Sequence, residues 1–231
     1  MTPTRLRSGT VRWAALALTS TVLLTGCGAV PAFNPGVAAR VADDTVSLSE
    51  VEDVTASYCA AVETQLEAGQ SVPNSVVSTQ VAGSLALRNA AEQFAAAEGL
   101  DGIEQDPTYA QQETGLAQGI VELPADQQEA VRAVNLAAPY VAAVELAVGE
   151  ELAGGEGPEA ATAAGHDAFV AWLSEQDVRI DPRFSVTIAD GAVARTDTSV
   201  SVPVSDSALS SVSGEPDPAA AAALPSTQRC G

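Results

Sequence analysis

Alanine recurs through this chain while aromatic side chains make up only 4 % of it, and that pairing limits the body it can build. Alanine is the best helix former but buries little apolar area. The expectation is therefore many helices around a thin core, with modest stability. The span 27–231 is long enough for one domain with a real core, or one domain plus tails.

The start of the chain has its own pattern. Arg5, Arg7 and Arg12 form a positive segment without acidic residues, and Trp13 to Leu24 is apolar. A helix of that length rises only about 18 Å, against about 30 Å of bilayer hydrocarbon. It reads as a cleavable export signal and not as a transmembrane helix. Leu24-Thr25-Gly26-Cys27 follows, and matches the lipobox of bacterial lipoproteins at each position. Small residues there admit a peptidase, and the Cys27 thiol takes up diacylglycerol. The other reading is an ordinary secretory signal with a chance Cys. On the lipobox reading the mature chain begins at an acylated Cys27, and two or three acyl chains hold it stably to membrane lipid. That places it at the cell membrane, lipid-anchored, on the extracytoplasmic face.

Charge narrows the partners. The chain has 30 acidic residues and 10 basic ones, all Arg. Removing the three signal Arg takes the formal charge from −20 to −23. Nothing would neutralise phosphates, so nucleic acid is excluded as a partner class. Docking of the folded body onto anionic lipid is likewise disfavoured. A solvated acidic surface is preferred to an acidic docking site. The lack of Lys with Arg retained points to GC-rich coding.

With Cys27 used by lipid, Cys59 and Cys230 remain. An even pair in an oxidising compartment reads as a disulfide, which would pin the C-terminal tail to the first helix of the domain. The alternative is two free or intermolecular thiols, with Cys230 too mobile to pair.

Along the chain, 27–36 is a Pro-containing tether. Val37–Val41 and Thr45-Val46 look extended, with Asp43-Asp44 able to turn. Ser47-Leu48-Ser49-Glu50 is a capping box. It opens a helix from about Leu48 to Glu67, with Leu48, Val51, Val54, Tyr58 and Val62 inward and Gly69 as its cap. A second helix runs from Pro73 to about Ala97, with Asn74 or Ser71 as caps. Its face is Val77, Val81, Leu85, Leu87, Ala91 and Phe94, and Arg88 within it must snorkel or pair. Asp106-Pro107 opens a third helix through about Gly119. A fourth starts at Leu123-Pro124-Ala125-Asp126, with Val131, Val134, Ala138, Val141 and Val148 spaced by threes and fours. Pro139 inside that run predicts a kink or two abutting helices. Pro158 to Gln176 is a further helix, carrying Phe169, Trp172 and Leu173. Then the period becomes two: Val178-Arg179-Ile180, Phe184–Ile188, the turn Asp190-Gly191 and a return through Ala192–Arg195. Val200, Val202 and Val204 alternate, with Pro203 demoting them to an edge strand or none. Residues 205–231 are a low-complexity tail, expected to be disordered unless Cys230 holds its end.

Three pieces carry a resemblance. Gly36 to Val51, ending in Ser47-Leu48-Ser49-Glu50-Val51, resembles the opening of the SurA N-terminal-like chaperone domain. Ala90 to Leu100 resembles the end of that domain's long helix. Val178-Arg179-Ile180-Asp181-Pro182-Arg183-Phe184 is similar to a strand near the C-terminus of SurA-like and PrsA-like foldases, with Ser185 where the family has Gly. The resemblance covers most of 36–188 in order, behind a lipobox, as in lipoproteins of the actinobacterial type. It implies an α+β fold over 37–204: a mostly helical SurA N-terminal-like domain whose first and last strands meet in a small antiparallel sheet beside a cradle for unfolded polypeptide. Such foldases often carry a parvulin isomerase domain. That site is polar and uses two His, whereas this chain has 1, so the isomerase is taken as missing.

Catalytic patterns are also wanting. His166, beside Asp167, reads as a surface residue without a nucleophile or further ligands. No Ser sits in a G-x-S-x-G turn, and no phosphate or dinucleotide loop appears. Glu150-Glu151 and Asp43-Asp44 are adjacent and do not face one site. Trp172 with Phe169 reads as core. The expectation is no enzyme, no metal and no cofactor. The functional expectation is a lipoprotein that binds unfolded or secreted polypeptides; the alternative is a structural or adaptor envelope lipoprotein binding one folded partner. Cys27→Ser is expected to move the protein from the detergent phase to the aqueous phase of a detergent split, and an unchanged partition would refute lipidation there.

Overall fold

The computed structural model describes residues 35–196 and 218–231. The segments read from sequence as signal, lipobox with Cys27 and most of the tether, the Val200–Val204 strand expectation and 205–217 lie outside the described residues.

Strand β1 (Val37–Val41) is central in a three-stranded antiparallel sheet, between β2 (Asp44–Ser47) and β4 (Val178–Ile180). Val41 pairs Asp44 on one side and Val178 on the other, so an early strand and a late one share the sheet. The β1–β2 turn falls at Ala42-Asp43, one residue before the acidic pair expected there, and Ala42 takes φ 49°. Ala38, Ala39, Val41 and Val46 are buried beneath it.

Helix α1 (Leu48–Glu63) starts where the Ser47 hydroxyl accepts from the Glu50 N–H at 3.0 Å, which satisfies an orphan donor of the first turn. It ends four residues before Glu67, and 64–70 is turn. Helix α2 (Asn74–Ala97) buries Val77, Val81, Leu87, Ala91 and Phe94 as expected, with Leu85 half-buried. Neither Ser71 nor Asn74 caps it. Pro73 lies just ahead of the helix, in the two-residue strand β3 (Val72–Pro73), and both candidate caps are engaged elsewhere, as shown below. A short 3-10 turn (Ile103–Gln105) leads to α3 (Pro107–Gly119), capped by Asp106 through the N–H groups of Thr108 and Tyr109, each at 2.9 Å.

The run containing Pro139 is two abutting helices. α4 (Ala125–Asn135) and α5 (Ala137–Leu152) meet at Leu136 with a 47° bend. Pro139 thereby falls in the first turn of α5, where its missing N–H has no carbonyl to lose. The break also rotates the face: Ala137 is buried and Ala138 exposed, contrary to the spacing read from sequence. Among the described residues no single helix is long and apolar enough to cross a membrane.

Helix α6 (Pro158–Glu175) crosses α5 at very close range. A Cβ placed on Gly149 would stand 1.8 Å from the Ala161 carbonyl oxygen, and one on Gly165 would stand 1.7 Å from that of Glu145. Only glycine at both points lets the two backbones touch. Above this crossing, Phe94, Phe169 and Trp172 form one aromatic group, with ring centroids 5.3 to 6.3 Å apart. Tyr109 meets Tyr140 edge-on at 5.8 Å. Five of the aromatics are thus gathered in one core, while Phe184 and Tyr58 pack in a second cluster.

After β4, a 3-10 turn (Pro182–Phe184) precedes the hairpin β5 (Val186–Ala189) and β6 (Ala192–Arg195). Phe184 and Ser185, expected in the strand, form the turn and its end. Ser185 takes φ 50°, so the left-handed conformation suited to glycine is kept with a side chain present. Asp190 and Gly191 both have positive φ, 49° and 69°, as a tight two-residue hairpin requires. Val193 packs over Gly83 of α2.

The end of the assigned low-complexity tail is ordered. Helix α7 (Pro218–Ala222), a 3-10 turn (Ser226–Gln228) and β7 (Arg229–Cys230) form a strap, with β7 antiparallel to β3. Composition favours disorder there, but tertiary ties prevail: Cys230 is bonded to Cys59. The architecture is thus α+β, mostly helical, with small antiparallel sheets.

Gly165→Ala is expected to lower stability by about 3 kcal/mol, because the methyl meets backbone and cannot be absorbed by a side-chain rotation. Gly115→Ala on α3, where nothing lies within 4 Å of the added carbon, is expected to stabilise by up to about 1 kcal/mol. Denaturant melts of both variants check the pair, and equal midpoints would refute the close-crossing account.

Candidate functional site

A groove of about 370 Å³ runs between α1, the start of α2 and the Pro182–Phe184 turn. Its long wall is a stripe on α1: Leu48, Val51, Glu52, Thr55, Ala56 and Cys59. Those positions recur at three- and four-residue steps, so they stack along one face of the helix. The inward face read from sequence (Leu48, Val51, Val54, Tyr58, Val62) overlaps this stripe only at its first turn. Asn74 and Ser78 of α2, with Arg183 and Phe184, form the opposite side. The lining is thus apolar at Leu48, Val51, Ala56 and Phe184, and polar at Glu52, Thr55, Asn74, Ser78 and Arg183.

The turn that brings Arg183 and Phe184 here is tied on three sides. The Asp181 N–H donates to the Ala38 carbonyl at 2.8 Å, which hangs it from β1. The Asp181 carboxylate accepts from the Arg183 N–H at 3.0 Å and pairs with its guanidinium at 3.1 Å. The Thr79 hydroxyl of α2 donates to the Phe184 carbonyl at 2.9 Å. The side of the groove opposite α1 is therefore preformed. On the α1 wall, the Thr55 hydroxyl oxygen is buried and makes no hydrogen bond. A helical Thr commonly turns back to the carbonyl four residues earlier.

At one end of the groove Cys59 is bonded to Cys230, across 171 residues of chain. Around the bridge, the Arg229 guanidinium donates to the Ser71 hydroxyl, which donates to the Gly231 carbonyl at 3.2 Å. The Asn74 amide donates to the Thr227 carbonyl at 3.1 Å, and the Gly231 N–H to Glu63 at 3.0 Å. This is where the two candidate caps of α2 are spent. Of the sites expected from sequence, Cys59 and Cys230 are thus brought together, and Cys27 lies outside the described residues. Thr55, Ser78 and Arg183 were not singled out as lining residues. The helical period of the α1 stripe was the available signal for Thr55, but the partners across the groove carry none.

A larger depression, about 500 Å³, lies over Glu113, Thr114, Ala117, Gln118 and Val121. One helix and a loop residue wall it, so it is a surface dip without an opposing side.

Two polar clusters sit within or at the margin of the core. Arg88 lies 3.4 Å from the Tyr140 ring centroid and binds Glu92 at 2.6 Å, Glu104 at 3.1 Å and the Tyr109 hydroxyl at 3.1 Å. It pairs, where sequence left pairing or snorkelling open. Each of its three nitrogens donates to a protein partner, and it serves packing. His166 lies 3.0 Å from the Glu145 carboxylate across the α5–α6 crossing. A Cβ on Gly191 would stand 3.2 Å from the imidazole and 3.4 Å from the carboxylate, so the hairpin turn closes over both. His166 is therefore half-buried and partnered, and not a bare surface residue. Among the described residues no group of three or more His, Cys, Asp or Glu is placed to hold a metal ion.

No family model, no curated protein and no solved structure matches this chain.

Burial holds the Glu145 carboxyl above its ordinary value of 4.5, and the His166 hydrogen bond pulls it partly back. A raised carboxyl pKa contributes stability that is full below the unfolded value and lost as pH rises through the folded one. Glu145→Gln keeps an acceptor for His166 and removes that loss. Its melting temperature relative to the parent is expected to rise as pH increases above the ordinary carboxylate range. Thermal melts along that increase check this, and a constant difference would refute it.

Proposed function

We propose that the chain is an exported lipoprotein, anchored through acylated Cys27, whose body holds short apolar stretches of unfolded or newly exported polypeptide without catalysing a reaction. In this reading the body is a SurA N-terminal-like domain without a parvulin module. The observation that carries it is the groove along α1: a preformed concavity with an apolar lining and polar groups at intervals. That character suits an extended segment, whose side chains seek apolar surface and whose backbone seeks hydrogen bonds. The sequence pieces behind the resemblance support it too. Leu48 and Val51 from the first, and Arg183 and Phe184 from the last, line this same groove. The acidic surface favours clients that are neutral or basic.

The test is suppression of light scattering from a thermally unfolding client enzyme. Equimolar mature protein is expected to suppress it. Ala56→Trp, which fills the groove from an exposed helix position, is expected to remove the suppression while leaving the far-UV melt in place. Absence of suppression by the parent overturns the reading. Capture of a single folded partner, with no general effect on clients, replaces it with the adaptor reading.

A further inference from the structure

The two bridged sulfurs sit in unequal surroundings. Cys59 lines the groove and is half-buried, whereas Cys230 has no exposed surface. The strap that Cys230 carries is otherwise lightly attached. Its strand pairs at two positions only, Val72 with Cys230 and Pro73 with Arg229. Its further ties include the side-chain bonds of Ser71, Asn74, Glu63 and Arg229 described above and the packing of Gly231 beside Leu66. The strap supplies little of the core: apart from Cys230, the side chains in the buried clusters belong to residues 38–188, and Ala221 is the other strap side chain among the described residues that is buried. One covalent bond, reachable from one side, thus controls a segment that adds little to the core.

We propose that Cys59–Cys230 is a reducible clasp, opened by an external dithiol that attacks Cys59 from the groove, freeing the 218–231 strap while residues 35–196 stay folded. The exchange balances. A thiolate of the dithiol attacks Sγ of Cys59, forms a mixed disulfide and expels the Cys230 sulfur as a thiolate, which takes up a proton. The second thiol of the partner then attacks its own mixed-disulfide sulfur. The partner leaves as a cyclic or intramolecular disulfide, and Cys59 is released as a thiol. Two electrons pass from the dithiol to the protein.

Asn74 couples the bond to the strap. Its amide oxygen lies 3.4 Å from the Cys59 sulfur and 3.2 Å from that of Cys230. A bridged sulfur has no proton, so these are contacts in the closed form. After reduction each thiol gains a proton to donate, and this oxygen is the acceptor at hand. The other end of the same amide holds the Thr227 carbonyl. One amide therefore touches both sulfurs and the strap backbone, so separation of the sulfurs disturbs all three contacts. Cys59 and Asn74 both line the groove, so opening the clasp alters that end of it. This last consequence alone rests on the polypeptide-binding reading.

The test uses the mature protein with its bridge intact. A brief pulse of glutathione, quenched with acid, traps the first mixed disulfide, and mass spectrometry is expected to find it on Cys59. Hydrogen exchange is then followed after reduction with dithiothreitol, and in parallel in the unreduced Cys59→Ser/Cys230→Ser double variant. In both, peptides from 218–231 and 70–74 are expected to exchange about tenfold faster or more, with α5 and α6 unchanged. Adducts found mainly on Cys230, strap protection retained without the bond, or protection lost in α5 and α6 as well would each overturn the proposal. None of these readouts depends on client binding.

Discussion

An alanine-rich chain excludes water by bringing helices close, because it has few large side chains to fill wider gaps. The crossing of α5 and α6 is the extreme case. Gly149 faces the Ala161 carbonyl and Gly165 faces the Glu145 carbonyl at ranges no side-chain carbon tolerates. Close approach makes up for small side chains through many short dispersion contacts. It also fixes geometry: once these two backbones touch, Phe169 and Trp172 on α6 have one place to go, against Phe94 of α2. The sheet, the hairpin and the α1 groove are then assembled on α2, the long helix that this aromatic group immobilises.

Arg88 at the margin of the thin core and Glu145 within it are treated differently. Arg88 is given partners for its charge, two carboxylates and a phenol, with the Tyr140 ring beneath its plane. Glu145 receives one partner and loses solvent, so its charged form is disfavoured. Both stand away from the groove lining. The groove is instead built from residues whose positions are set by local turns and by the bridge.

Local signals were legible in the sequence because they act over a few residues. Ser47 and Asp106 as caps, the Asp190-Gly191 turn and the helix break near Pro139 each follow from chemistry within one turn of chain. Packing was legible where periodicity held, as along Val77, Val81 and Phe94. It failed at Ala138, because a break at Leu136 resets the phase of the helix. The pairing of Glu145 with His166, the partners of Arg88 and the side of the groove opposite α1 were not legible. Each depends on which helices meet, and an isolated sequence carries no signal for that. Ser71 and Asn74 show the same limit: both are good capping residues, and a distant strand claims them. Ordering of 218–231 was legible only through Cys230, since composition alone favours a disordered tail and the bridge is what ties its end.

The gathering of aromatics around α2 and α6 has a consequence for anyone watching this protein by light. On the proposed export reading Trp13 departs with the signal, and Trp172 is the indole that remains. That indole sits beside Phe94 and Phe169, whereas the strap contains no tryptophan or tyrosine. Emission selected at Trp172 is therefore a gauge of the aromatic interior, whereas Tyr58, the neighbour of Cys59, stands close to the bridge.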